Sequence, residues 1–343
     1  MNNASLARVL HSPNTPLAIV VVLGVAVLTV QSGGSFLSPI SVQTFFQFLA
    51  IPIVIGLAQM ATLAVGQLNL AVGAIGGFSA CLAAIFMADF GLPGWLGGIA
   101  AILIGLACGF ANGLLVVFTR INGFVVTLAT MTILSGAQYA LVGTRTITAD
   151  AWPELQAIGR AQPLGIPLIF WIAVAIAVVL AIVYRHALLA RDMLASGGNP
   201  LAATLSGISN NRSLVAAHAL SGLLCGFAAL IVLASLPGAN KSVGGDWLLS
   251  SFAAPIIGGV SLVGGTVAVL GTVLAATIVR LVDSARAAFQ LDPSWVNFVI
   301  GAVVLGTVAF DRVRARRQSG AQRRQSKTPD APPTAAVRAV EGA

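Results

Sequence analysis

The sequence predicts an all-α polytopic membrane protein of about ten transmembrane helices, with glycine-broken spans in each half. Three observations lead there. Of 343 residues, 57% are hydrophobic and only 8% charged, where a soluble domain carries about 25% charged. Eighteen Lys and Arg with ten Asp and Glu could not cover a water-facing surface, so much of the surface meets lipid. The ionisable residues also leave long apolar gaps, and one crossing takes roughly 20 apolar residues. Finally, Lys and Arg are distributed unevenly along the chain, as their retention on the cytoplasmic side of a membrane requires.

In chain order, residues 1–15 form an N-terminus with Arg8 and no acid, placed inside. The apolar run from Leu17 to Val30 imitates a signal peptide, but no small-residue cleavage site follows it, so 16–31 reads as an uncleaved first span. Spans at 42–65 and 71–88 fill the gap before Asp89. The next gaps hold 95–119, 123–143, 166–184 and 213–236. Between Asp246 and Arg280 there is room for two short glycine-broken crossings, 247–263 and 266–282, or for one crossing and a re-entrant piece. A last span occupies 294–310, closing a permeation-type domain over 16–311. The tail 312–343 carries Arg312, Arg314, Arg316, Arg317, Arg323, Arg324 and Lys327, then prolines and no hydrophobic pattern, and reads as disordered, basic and cytoplasmic.

Two ends on the inside require an even number of crossings, which favours ten over nine. That threading puts thirteen of the eighteen Lys and Arg inside. Arg145, Arg160, Lys241, Arg280 and Arg286 stay outside against six acids. Such a chain belongs in a bacterial inner membrane. Its positive charge is concentrated in one juxtamembrane tail, which fits attraction to anionic lipid and not to nucleic acid.

Chemistry is scarce. No glycine-rich segment ends in the Gly-Lys-Ser or Gly-Lys-Thr that cradles phosphates. His11, His186 and His218 have no metal-ligand spacing, so no metal site is expected. Cys81, Cys108 and Cys225 lie singly in apolar spans, where a thiol acts as a small hydrophobe. Ion-coupled pumping normally needs acids within spans; the nearest approach is Arg280 with Asp283, three residues apart near the outer end of a span, which snorkelling and a local ion pair explain. An enzyme has no constellation to work with.

Glycines concentrate in two places. Gly66, Gly73, Gly76 and Gly77 flank one turn, and Gly258, Gly259, Gly264, Gly265 and Gly271 flank another. Paired glycine-broken segments point to a midplane site between repeats; close helix packing is the other reading. Outside the spans, 144–165 is long enough for a small external helix or lid. The longest internal loop, 185–212, contains GGNPLAATLSG over 197–207. Pro200 early, Leu201, Ala202, Ala203 and Leu205 at helical spacing, and Gly207 at the end predict one short helix outside the membrane. Its shape is that of a plug for a partner's socket. A solvated connector is the plainer alternative.

Six blocks carry a resemblance that covers residues from about 40 to 311: GQLNLAVGAIGG at 66–77, NGLLV at 112–116, FVVTLATMTILSG at 124–136, GGNPLAATLSGI at 197–208, SGLLCGFAAL at 221–230 and IIGGVSLVGGTVAVLGTVLAA at 256–276. The chain resembles the ribose-type sugar permeases of bacterial ATP-driven importers, which are related to branched-chain amino-acid permeases. Where that family usually has Gly-Gly-Ile-Asp-Leu-Ser, this chain has Gly66, Gln67, Leu68, Asn69, Leu70 and Ala71, a carboxamide in place of a carboxylate. The later Gly-Gly-x-Gly is Gly264, Gly265, Thr266 and Val267.

The resemblance implies a homodimer of permeases with a separate cytoplasmic ATPase and a periplasmic sugar-binding protein. The coupling residues would be Gly197, Gly198, Asn199, Pro200, Ala202, Ala203, Leu205, Ser206 and Gly207. No cofactor is expected on this chain, because ATP would bind the partner subunit. A monosaccharide would pass inward by alternating access, needing hydrogen bonds but no fixed charge, and Gln59, Asn69, Asn112, Gln138 and Asn297 are the candidate pathway residues. A passive channel and an ion-coupled secondary transporter for a small neutral solute are the competing expectations.

Overall fold

The structure is a computed structural model that describes residues 14–290 together with 292, 298, 301, 302, 305 and 306. The chain divides into units over 1–304 and 305–343, and the architecture that follows is that of the first. Its α-helices are α1 (Thr15–Gln31), α2 (Pro39–Leu63), α3 (Val72–Asp89), α4 (Gly94–Thr119), α5 (Gly123–Val142), α6 (Pro153–Arg160), α7 (Leu168–His186), α8 (Leu188–Gly198), α9 (Pro200–Leu205), α10 (Asn210–Ser235), α11 (Trp247–Ile257) and α12 (Val269–Ala288). One two-residue antiparallel pair, Ile147 with Ala239 and Thr148 with Gly238, ties two loops together.

Six helices, α2, α3, α4, α5, α7 and α10, are long and apolar enough to cross a membrane. Two more, α1 with 17 residues and α11 with 11, are apolar but shorter, and α12 carries Arg280, Asp283 and Arg286 in its second half. These nine helices fall on the first nine predicted spans. Against the expectation of ten crossings, six helices among the described residues have the length and apolarity. The tenth predicted span, 294–310, lies mostly outside the described residues; Asn297, the tail 312–343 and residues 1–13 lie wholly outside them.

Helix ends follow the local chemistry. At the start of α2, Ser38 accepts a hydrogen bond from the Ser41 N–H at 3.3 Å and Pro39 opens the first turn, where its missing N–H costs nothing. Asn122 caps α5 through the Phe124 N–H at 2.9 Å, and Ser209 caps α10 through Arg212. In the centre, α2 and α10 pack against one another and against α3, and their inner faces form one apolar core around Ile53, Leu57, Leu224 and Ile231.

The most extensive helix contact joins α4 to α10, and glycine makes it. A Cβ on Gly105 would lie 2.5 Å from the Gly222 carbonyl oxygen, one on Gly109 2.3 Å from that of His218, and one on Gly222 2.3 Å from that of Gly105. Backbone therefore meets backbone along two turns of each helix, the close approach that small residues permit in membranes. The glycine-rich turns noted in the sequence did not include this seam.

The segment 144–165, predicted as an external helix or lid, contains the short helix α6, which is tied to the end of α10. Trp152 is fully buried and donates from Nε1 to the Leu233 carbonyl at 2.9 Å. Gln156 donates to the Leu233 and Leu236 carbonyls at 2.8 and 2.9 Å. These bonds satisfy the Leu233 carbonyl in the last turn of α10, which has no intrahelical donor, and the Leu236 carbonyl just beyond the helix. Nearby, Arg145 pairs with Asp89 at 2.8 Å, both well exposed, and the carboxylate holds the guanidinium above its ordinary pKa range.

Candidate functional site

Residues 185–212, read as a loop around one short helix, contain two helices. Ala190, Met193, Ser196 and Gly197 form the buried face of α8, so the segment is anchored along its first half. Gly197 and Gly198 close α8 and do not open the next helix, which is a correction to the predicted 197–207 element. Pro200 explains the break. The residue before a proline is driven out of the helical region, and Asn199 is extended at φ −154°. Its side chain then accepts from the Ala202 N–H at 3.0 Å and starts α9 with Pro200 in the first turn. At the other end Gly207 takes φ +83°, a conformation that favours glycine.

Within α9, Ala203 is buried against its neighbours while Leu201 and Leu205 are 72% and 82% exposed. Asn210 holds the helix to α10 by donating to the Pro200 carbonyl and the Thr204 hydroxyl, both at 2.9 Å. The result is a rigidly mounted six-residue helix that presents two leucines to its surroundings.

What α8 stands on is the second part of the site. A Cβ on Gly197 would lie 2.0 Å from the Ala64 carbonyl oxygen and 2.7 Å from the Gly265 nitrogen. The Gly265 N–H donates to the same Ala64 carbonyl at 3.0 Å. A Cβ on Gly66 would meet the Val263 carbonyl oxygen at 2.5 Å, and one on Gly264 the Gly66 nitrogen at 2.7 Å. Thus the two glycine-rich turns, separated by almost 200 residues, meet each other and the end of α8 at one backbone-to-backbone junction.

From that junction the chain runs unwound through 64–71 before α3 begins. Irregular backbone at such depth is tolerated only when protein satisfies its polar groups, and the predicted carboxamides do this. Gln59 is fully buried and faces the backbone of Asn69, its Nε2 oriented to donate to the carbonyl at 2.8 Å and its Oε1 to accept from the N–H at 3.1 Å. Asn69 donates to the Ser221 hydroxyl at 3.0 Å and accepts from the Ala71 N–H at 2.9 Å. The Leu70 N–H donates to the Thr127 hydroxyl at 3.1 Å, and Gln67 accepts from the Gly123 N–H at 3.1 Å.

The other two described candidates are apart from this pair. Asn112 accepts from the Thr130 hydroxyl at 2.6 Å between α4 and α5. Gln138 donates to the Asn240 and Val243 carbonyls at 3.3 and 3.1 Å. All four are at most 3% exposed. The structure brings Gln59 and Asn69 together, leaves Asn112 at the contact of α4 with α5, and sets Gln138 against the 240–243 turn.

Sequence reasoning did not find two cavities with charged residues in their walls, the larger between α2 and α12 and the smaller between α2, α11 and α12. One, of about 480 Å³, reaches from Ser41 to Phe48 along α2; another, of about 220 Å³, continues from Phe48 to Ile55 and includes Asp246 and Trp247. Both are bounded by Phe48, Arg280 and Asp283. The only signal in the sequence was the charged trio Arg280, Asp283 and Arg286 at three-residue steps, on one side of an otherwise apolar helix.

Residues 41–308 match the family described as branched-chain amino acid transport system, permease component. The chain is 29% identical over 316 residues to the fructose import permease protein of Rhizobium meliloti, covering 90% of this chain and 88% of that one. It is 27% identical to the ribose import permease protein of Haemophilus influenzae, over 90% and 96% of the two chains, and 28% identical to the autoinducer 2 import system permease protein of Escherichia coli, over 94% and 95%. No solved structure matches. With apolar helices of spanning length and a match covering most of its residues, the chain is a multi-pass membrane protein and belongs to the branched-chain amino acid transport permease family.

Proposed function

We propose that the chain is the membrane-spanning subunit of an ATP-driven importer for a simple sugar, acting as one of two identical permease copies with both termini in the cytoplasm. Ten crossings are reached by adding α1, α11, α12 and the span predicted from the sequence at 294–310 to the six long spans. A cytoplasmic ATPase docks on α9 and binds the ATP, and a periplasmic binding protein delivers the cargo. The import permeases for ribose and fructose among its relatives support a sugar as cargo.

The observation that carries the ATPase-driven reading is the mounting of α9. A solvated connector would hide its leucines or dispense with them. Here Leu201 and Leu205 are exposed on a helix whose carrier, α8, bears on the backbone of both glycine turns. Close-packed backbone has no flexible side chain to absorb a push, so motion of α9 passes to the unwound 64–71 segment and to the loop before α12. Alternating access follows as a shift of the helices those segments begin.

Leu205→Glu tests this. Burying one leucine contributes about 1.5–3 kcal/mol, and each 1.4 kcal/mol is a factor of ten in affinity. Co-purification of the ATPase with the full chain should fall at least about tenfold, and sugar uptake with it, at unchanged membrane expression. Retained ATPase association and uptake would sink the reading. Uptake that survives ATP depletion would instead indicate a channel, and uptake abolished by collapsing the proton or sodium gradient at high ATP a secondary transporter.

A further inference from the structure

The two cavities lie in series along α2. Ser41 and Ile55 are fourteen residues apart, about 21 Å at 1.5 Å per residue, and both positions line the cavities. The wider cavity is at the end of α2 remote from α8 and α9, where Gln47 approaches the Ser235 carbonyl at the far end of α10. The narrower one stops about 12 Å of helix short of Leu63. Together they form a path from the outer end of the bundle to beyond the middle of α2.

The waist between them has its own chemistry. Arg280 pairs with Asp283, and Arg286 Nε lies 3.6 Å from the other oxygen of that carboxylate. The Arg280 guanidinium stands 5.2 Å from the centre of the Phe48 ring and 5.9 Å from that of Phe45, a cation–π arrangement. Its side chain is only 14% exposed, so it is turned into the protein and has not snorkelled to the surface. Among the described residues neither Arg280 Nε nor Arg286 Nε has a hydrogen-bond partner. Pro52, one turn below Phe48, has no N–H to give to the Phe48 carbonyl.

Packing alone does not explain Arg280. Asp283 and Arg286 keep 38% and 33% of their side chains exposed, whereas Arg280 is withdrawn from solvent, and taking a charge out of water is costly unless something is gained by it. Ionisable groups inside a membrane protein mark pathways. Arg280 and Arg286 are balanced by Asp283 and, below the waist, by Asp246, so the lining has no net charge for an ionic cargo. Ring faces beside isolated donors and acceptors suit a solute with an apolar C–H face and several hydroxyls.

We propose that these cavities are the outer half of the translocation path, with Phe48, Arg280 and Asp283 forming a waist that passes an uncharged polyhydroxylated solute. This rests on the sugar-permease reading above and adds to it where the cargo first meets the permease and which residues select it.

The test uses the full chain in spheroplasts with Cys108 replaced by Ser, because Cys81 and Cys225 are buried and Cys108 is only partly so. Ser41→Cys, above the waist, and Ser250→Cys, below it, should both react with a membrane-impermeant methanethiosulfonate added outside. Val27→Cys, in the apolar groove between α1 and α12, should not. Adding Phe48→Ala should speed labelling at Ser250→Cys about fivefold or more and leave Ser41→Cys unchanged. D-ribose, D-fructose, D-xylose and myo-inositol should be screened as protectants, with at least one slowing labelling at Ser250→Cys.

No labelling at either serine position overturns the path. Labelling that Phe48→Ala leaves unchanged overturns the waist. Protection by ribose 5-phosphate alone, or by none of the four, overturns the assigned cargo class. Asp283→Asn should lower uptake at least tenfold while ATPase co-purification stays intact, and normal uptake would remove Asp283 from the path. If the ATPase fails to co-purify even with the wild type, the importer reading fails on its own, and thiol access still decides the path.

Discussion

The backbone junction under α8 makes a sharp prediction about two adjacent glycines. In Gly197→Ala the new Cβ would sit 2.0 Å from the Ala64 carbonyl oxygen, 2.7 Å from the Gly265 nitrogen and 2.9 Å from the Val65 Cα. All three are backbone atoms, so no rotamer change relieves the clash. Ordinary contact begins near 3.4 Å, so α8 and the Gly66 turn must part by about 1 Å or more, and the Gly265 N–H loses its carbonyl. Overpacking costs about 1–3 kcal/mol and the lost hydrogen bond about 0.5–1.5 kcal/mol, offset by about 0.5–1 kcal/mol for replacing a helical glycine. The net destabilisation is about 0.5–4 kcal/mol, centred near 2. In Gly198→Ala the nearest atom to the new Cβ is the Gly265 Cα at 3.7 Å, an ordinary contact, so that variant should match or slightly exceed the wild type. Thermal unfolding of both purified full-length variants in the same detergent compares them, and the expected outcome is a clear downward shift for Gly197→Ala alone. Equal melting of the two variants would refute the junction. If the junction also transmits motion, Gly197→Ala should lose uptake at temperatures where it remains folded.

Three further outcomes follow from other contacts. Gly222→Ala places a Cβ 2.3 Å from the Gly105 carbonyl oxygen and should lower the melting temperature, whereas Gly136→Ala, with nothing within 4 Å, should be neutral or raise it; the reverse order would argue against the α4 to α10 seam. Trp152→Phe keeps most of the ring volume and removes the indole donor, but Gln156 still donates to the Leu233 carbonyl, so it should cost about 0.5–1.5 kcal/mol and speed proteolysis of the 144–165 segment, read as fragment appearance on gels. Asp89→Asn removes an exposed ion pair with Arg145, and because such pairs contribute little, melting should not move and should be insensitive to added salt; a large loss would mean the pair acts in a network.

How much of this was legible in the sequence depends on whether the information was local. The helices α1 to α5, α7 and α10 follow from apolar runs between charges, and α9 from Pro200 and Gly207, because each signal lies within one segment. The face that anchors α8 was also local, with Ala190, Met193, Ser196 and Gly197 at helical spacing. It was obscured because an eleven-residue helix among charges is too short to register as a span and too polar to stand out. The four-residue steps Gly105, Gly109, Gly113 and Gly222, Gly226 could be read, but not that the two stripes face each other across more than 100 residues. Carboxamides raise the opposite difficulty. A polar side chain in a span looks the same in sequence whether it faces a cargo or, like Gln59 beside Asn69, closes a pair of backbone bonds.

The glycines show why sequence pattern alone leaves a permease looking like a channel. Along α4 and α10 they permit a long, regular contact whose many backbone approaches must all be lost together, which favours one fixed arrangement. At Gly66, Gly197 and Gly264 they permit a point contact between three segments, two of which are non-helical. A point contact can pivot where a two-turn seam cannot. The prediction that separates these roles is functional: Gly222→Ala should reduce stability and uptake in proportion to folded protein, whereas Gly197→Ala should reduce uptake per folded molecule. Measuring uptake normalised to the folded fraction, from size-exclusion profiles of fluorescently tagged chain, gives one number for each variant. If the two normalised values agree, the junction is only another packing contact and the path from α9 to the unwound segment has no mechanical role.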